Sequence, residues 1–223
     1  MWHERKAGEN VYQFCFFDLD GTITDSSLGI TNSVRYALGK FGITEPDRTK
    51  LYRFIGPPLT ESFREFYGFS RERCQEAVRY YREYYREKGI YENRVYDGLE
   101  AVLKQLKEAG KHLVVATSKP EVFAREIIGY FHLEQYFEYV AGMELDGGRG
   151  TKAEVIEYAL EACGIQDRSR VLMIGDREHD VIGASKVGID CLGVLYGFGT
   201  REELEQAGAS AIADSVEEIL RFV

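Results

Sequence analysis

Short runs of consecutive apolar residues punctuate this chain, and from about residue 97 they alternate with segments whose apolar positions recur at helical spacing. Phe14-Cys15-Phe16-Phe17 reads as a first strand. HLVVA (112–116), YVAGM (139–143), VLMIG (171–175) and CLGVL (191–195) follow, with AIA (211–213) as an edge strand. Continuously apolar strands are buried on both faces, which predicts a parallel sheet covered by helices. Helix starts are marked by a capping residue with Glu three positions on, at Asp97/Glu100, Ser118/Glu121, Thr151/Glu154, Thr200/Glu203 and Ser215/Glu218. Gly110, Gly164 and Gly208 close three of these helices, and Gly188 closes the one after VLMIG.

Residues 26 to about 95 break the rhythm, because no apolar strand appears between Phe17 and HLVVA. SLGITNSVRYALGKFG, TESFREFYGF and RERCQEAVRYYREYYREKG read as three helices, with IGPPL (55–59) as a stiff turn before the second. The expected organisation is an α/β core of residues 1–25 and 96–223, a doubly wound parallel sheet, with a small α-helical cap of residues 26–95 inserted after the first strand. Tyr80, Tyr81, Tyr84 and Tyr85 fall at i, i+4 spacing on the long cap helix, where packing against neighbours is the expected role.

Composition narrows the function. The chain has 223 residues, 44% of them hydrophobic, enough for a sizeable core. Its 28 basic and 37 acidic residues give a net charge of −9, which repels nucleic-acid polymers and anionic membranes, so an anionic substrate needs a local cation. No apolar run approaches the roughly 18 residues of a membrane span, and the opening MWHERKAGENVYQ lacks the apolar stretch of a leader. A cytoplasmic protein, monomer or homodimer, is expected. Cys15, Cys74, Cys163 and Cys191 form no C-x-x-C pair, and the four histidines show no zinc spacing, so buried reduced thiols are expected.

Ligands of open parallel sheets bind outside the carboxyl ends of the strands. The first strand delivers Asp18 and Asp20 there, HLVVA delivers Thr117 and Ser118, VLMIG delivers Asp176 with Asp180 beyond it, and the loop GGRGT precedes Lys152. Acids, a hydroxyl and a lysine form a phosphoryl-transfer set: ligands for a divalent cation, a nucleophile, and donors for phosphate oxygens. Gly21 lets the backbone turn so that successive N–H groups face an anion. Ser118 is accounted for as a helix cap, leaving Thr117 as the better catalytic hydroxyl. Lys152 on a helix's first turn opposes the dipole, which calls for an acidic partner. Two other sites fail: an EF-hand counted from Asp18 would place Ile23 and Gly29 where Gly and Glu are needed, and GGRGTKA lacks the Walker A order.

Together DLDGT (18–22), Thr117, Lys152 and GDREHD (175–180) resemble the four motifs of the haloacid dehalogenase-like hydrolases, across essentially the whole chain. The similarity is greatest to the phosphoglycolate phosphatase-like and β-phosphoglucomutase-like branch, which includes nucleotidases; where its third motif often has Lys-Pro, this chain has Lys152-Ala153. The resemblance implies a Rossmann-like core and a magnesium-dependent phosphatase acting on a small phosphorylated metabolite. A 5′-nucleotidase or a phosphosugar mutase is the alternative, and a non-catalytic binding module is disfavoured. It also implies Asp18 as nucleophile, Asp20 as acid and base, and Thr117 and Lys152 on the phosphoryl oxygens with Gly21 and Ser118 beside them. Magnesium would be held by Asp18, the Asp20 carbonyl and Asp176, with Asp180 supporting those ligands or reaching the ion through water. Dehalogenases lack the second acid, Asp20.

Overall fold

The computed structural model describes residues 12–145 and 148–223. Residues 1–11 of the opening segment read above for a leader, His3 among them, and Gly147 of the GGRGT loop lie outside the described residues. Six parallel strands form the main sheet: β1 (Phe14–Phe17), β4 (His112–Pro120), β5 (Tyr139–Met143), β6 (Val171–Gly175), β7 (Asp190–Val194) and β8 (Ala211–Ala213), in the order β5-β4-β1-β6-β7-β8. β1 lies between β4 and β6, pairing Phe16 with Val114 on one side and Met173 on the other. The order in which strands are added reverses at β1, so the carboxyl ends of β1, β4 and β6 share one crevice.

Alternation along β1 divides the core. Cys15 and Phe17 pack into a cluster with Leu113, Val115 and the helices of the insert, while Phe16 packs on the opposite face with Val155, Ile156, Val181 and Leu204. The helices covering the sheet are α4 (Leu99–Glu108), α5 (Glu121–Tyr130), α6 (Lys152–Ala162), α7 (Glu178–Val187) and α8 (Arg201–Ala207).

Between β2 (Thr24–Asp25) and β3 (Arg94–Val95), which pair antiparallel, the chain forms α1 (Ser27–Lys40), a 3-10 segment (Arg48–Phe54), α2 (Leu59–Tyr67) and α3 (Arg71–Tyr84). A single π-helical turn, Tyr85–Gly89, ends this helical insert. No described helix is long and apolar enough to cross a membrane.

Three expected caps differ. β4 runs on through Thr117-Ser118-Lys119-Pro120, and α5 starts only at Glu121 with Pro120 before it, so Ser118 caps nothing. A proline's fixed φ sets the helix start two residues late, and Glu121 instead receives Arg125 and Arg149. Gly98 at φ 82, not Asp97, precedes α4. The final helix is a 3-10 segment, Glu217–Arg221, without a Ser215 cap. Thr151/Glu154 and Thr200/Glu203 do cap α6 and α8.

Candidate active site

Asp18 follows directly on β1 and Asp176 on β6, while Asp180 stands on the first turn of α7. One carboxylate oxygen of each lies within 4.8 Å of the others, and all three residues are buried. This proximity needs glycines. A Cβ on Gly21 would sit 2.2 Å from Asp176 Oδ2, and one on Gly197 would sit 2.4 Å from Asp176 Cβ. Asp176 is further fixed by the Phe198 N–H at 2.8 Å. The Gly21 N–H donates to the Thr24 carbonyl at 2.8 Å rather than facing the site, because the φ of 88° that turns the chain also closes that local bond. Gly21 therefore serves through its missing Cβ, not as the anion donor expected of it.

Lys152 comes in from the start of α6. Its Nζ is 2.7 Å from Asp18 Oδ1 and 2.7 Å from Asp180 Oδ1, and donates to the Ala116 carbonyl at 3.1 Å. The acidic partner required by its place at a helix N-terminus is thus doubled. Burial opposes the charge on Lys152, yet Asp18 and Asp180 hold it protonated, above its ordinary range. Burial, with Asp180 and Asp18 nearby, pushes Asp176 well above the usual carboxylate range. Burial also raises Asp180, against the pull of Lys152.

Three buried carboxylates thus face one buried ammonium. A low-dielectric site does not retain that imbalance unaided, and an all-oxygen donor set fits a hard divalent cation such as magnesium. The Asp20 carboxylate lies outside this cluster, paired instead with Lys119 at 2.5 Å. Thr117, buried within β4, accepts the Lys119 N–H on its Oγ1 at 3.2 Å.

A family model described as haloacid dehalogenase-like hydrolase matches residues 15–194, a span that holds all of these acids and Lys152. The chain belongs to that family. It is 51% identical to a 5′-nucleotidase of Pseudomonas aeruginosa over 86% of this chain and 87% of the relative. It is 40% identical to the tyrosine-protein kinase PtkA of Mycobacterium tuberculosis, over 90% of this chain and 68% of the relative. Among solved structures, a predicted phosphatase from Clostridium acetobutylicum superposes with a TM-score of 0.91 at 52% identity, covering 94% and 96% of the two chains. As a haloacid dehalogenase-like hydrolase of this kind, the chain is a phosphoric monoester hydrolase.

Two site residues of this hydrolase escape a motif reading. Lys119 lines the cavity with Asp18, Asp20, Thr117 and Ser118. It stands two residues beyond Thr117 on β4, and no local pattern marks its pairing with Asp20. Arg177 spans from the Asp176 loop to the insert, donating from Nη1 to the Ile55 carbonyl and from Nε to Glu203, each at 2.7 Å. The cavity measures about 570 Å³, and the insert roofs it with Phe54, Gly56, Pro57, Tyr81 and Tyr85.

Proposed function

We propose that the chain is a magnesium-dependent phosphatase that hydrolyses a small phosphomonoester through an aspartyl-phosphate. The observation that carries this reading is the buried charge imbalance of Asp18, Asp176 and Asp180 against Lys152. Asp18, Asp176, Asp180 and the Asp20 carbonyl would hold the cation, which would offset negative charge shared by the carboxylates and the phosphoryl oxygens.

An Asp18 carboxylate oxygen attacks phosphorus, the bond from phosphorus to the ester oxygen breaks, and Asp20 gives its proton to the departing alkoxide. Water then attacks phosphorus, Asp20 takes the proton of that water, and phosphate leaves as the Asp18 carboxylate is restored. Lys152 steadies Asp18, and the Thr117 hydroxyl donates to a phosphoryl oxygen.

For the substrate we favour a nucleoside 5′-monophosphate over phosphoglycolate. A two-carbon glycolate leaves most of about 570 Å³ unfilled, whereas Phe54, Tyr81 and Phe123 line that space with apolar ring surface for a base. The name carried by the Pseudomonas relative supports the same choice.

The test is p-nitrophenyl phosphate turnover with magnesium or with chelator. Activity requires the metal and disappears in Asp18→Asn; undiminished activity in that variant removes the covalent mechanism. Adenosine 5′-monophosphate and phosphoglycolate, compared by kcat/KM, decide the substrate class.

A further inference from the structure

Tyr85 begins the π-helical turn that ends α3. Such turns re-aim the side chains of a helix and recur at functional sites. Here two glycines accommodate it: a Cβ on Gly29 would lie 1.9 Å from the Gly89 carbonyl oxygen, and one on Gly89 would lie 2.6 Å from Ser33 Oγ. The turn thus packs on α1 backbone to backbone.

The Tyr85 ring is held on three sides. It stacks on Tyr81 with centroids 5.4 Å apart, meets Phe123 edge-on at 5.4 Å, and has Lys119 Nζ 5.0 Å from its centroid. The residue is 2% exposed and lines the cavity. Its hydroxyl is buried without a hydrogen-bond partner among the described residues, as is Oδ1 of Asp20.

An unpaired buried hydroxyl is costly, and phenylalanine would fill the same stack without that cost. A tyrosine here is explained if the hydroxyl has a partner in the working complex. Burial, followed by the neighbouring Asp20 charge, raises its pKa, so the group stays protonated and able to donate. The ring contact with Lys119 places it beside the same ion pair that fixes Asp20.

We propose that the Tyr85 hydroxyl is a substrate ligand, taking an oxygen of the leaving alcohol next to the ester oxygen that Asp20 protonates. The inference rests on the phosphatase reading above and adds a chemical class: a phosphorylated polyol or ribose. Such alcohols carry ring or hydroxyl oxygens a few bonds from the ester, and p-nitrophenol does not.

The test is Tyr85→Phe, which deletes one oxygen and leaves the stack intact. With adenosine 5′-monophosphate and ribose 5-phosphate as probes, kcat/KM falls about tenfold. With p-nitrophenyl phosphate it changes by less than about twofold, because the interaction is absent from that substrate. The variant's Tm is equal to or above that of the wild type. Equal losses on all three substrates, a lowered Tm, or unchanged ribose-ester kinetics overturns the inference while leaving the phosphatase reading intact. No turnover of any of the three by wild type overturns both.

Discussion

Lys119 Nζ lies 2.5 Å from Asp20 Oδ2, in a pair whose side chains are 6% and 11% exposed. β4 supplies the lysine and the chain just beyond β1 supplies the acid, so the proposed proton donor is anchored to a neighbouring strand rather than to the Asp18 cluster.

Lys119→Met removes the cation and leaves the Asp20 carboxylate buried beside an apolar side chain. Breaking a buried pair in this way costs about 3–5 kcal/mol. The expected outcome is a marked drop in the urea midpoint together with loss of turnover. A double variant with Asp20→Asn recovers much of the stability but none of the activity. A single variant as stable as wild type would show that the pair is solvated in solution.

Magnesium is expected to stabilise the fold. Saturation at 100 times the dissociation constant adds about 2.7 kcal/mol. Thermal unfolding with chelator and with excess magnesium reads this directly. Asp176→Asn deletes one of three repelling carboxylates, so its metal-free form is at least as stable as wild type while its magnesium-dependent gain is lost.

The same acids set a pH dependence. Folded Asp176 and Asp180 bind protons more tightly than in the unfolded chain, their pKa values lying above the ordinary 3.8. The folded state then holds more protons, so their contribution is fully present below about pH 4 and is lost as pH rises through the raised values. In chelator, the stability of wild type minus that of Asp176→Asn therefore declines as pH rises from the carboxylate range toward neutrality. A difference that grows with pH would contradict the raised value.

Arg177 ties the Ile55 carbonyl to the Asp176 loop, and Tyr52 meets Phe198 at 5.9 Å beside it, so the turn Gly56-Pro57-Pro58 is fastened to the loop carrying a cluster acid. Arg177→Met removes a charge-assisted bond. The segment 51–58 is expected to exchange amide hydrogens roughly tenfold faster, with KM for adenosine 5′-monophosphate rising more than kcat falls. Hydrogen exchange by mass spectrometry checks the first, and steady-state kinetics the second.

The strands and the four acids were legible because their signals are local. An apolar run such as VLMIG is buried on both faces wherever it lies in the sheet, and a carboxylate just after it reaches the crevice without further information. Lys119 and Arg177 were not legible because their partners, Asp20 and Ile55, are 99 and 122 residues away, and nothing within either segment marks the pairing. Ser118 misled because its spacing to Glu121 satisfies the capping pattern, yet Pro120 delays the helix. β2 and β3, two residues each, owe their pairing to the insert returning on itself and carry no pattern of their own.

Gly183 and Gly39 separate a functional glycine from an incidental one. Both lie inside helices, where replacing glycine by alanine ordinarily gains about 1 kcal/mol. Nothing lies within 4 Å of a Cβ at Gly39, so Gly39→Ala gains that amount. At Gly183 the Cβ would meet Lys152 Cγ at 2.6 Å and Cβ at 2.9 Å. Those atoms are the root of the side chain, fixed by α6, and cannot yield as a flexible tip would. Overpacking of this kind costs about 1–3 kcal/mol, more than the helix gains, and relief by moving the lysine pulls Nζ away from Asp18 and Asp180. Gly183→Ala is therefore expected to unfold at lower urea than wild type and to lose turnover, while Gly39→Ala unfolds at higher urea with unchanged kinetics. Equal behaviour of the two variants would show that the close approach of α7 to Lys152 does not set the lysine's position.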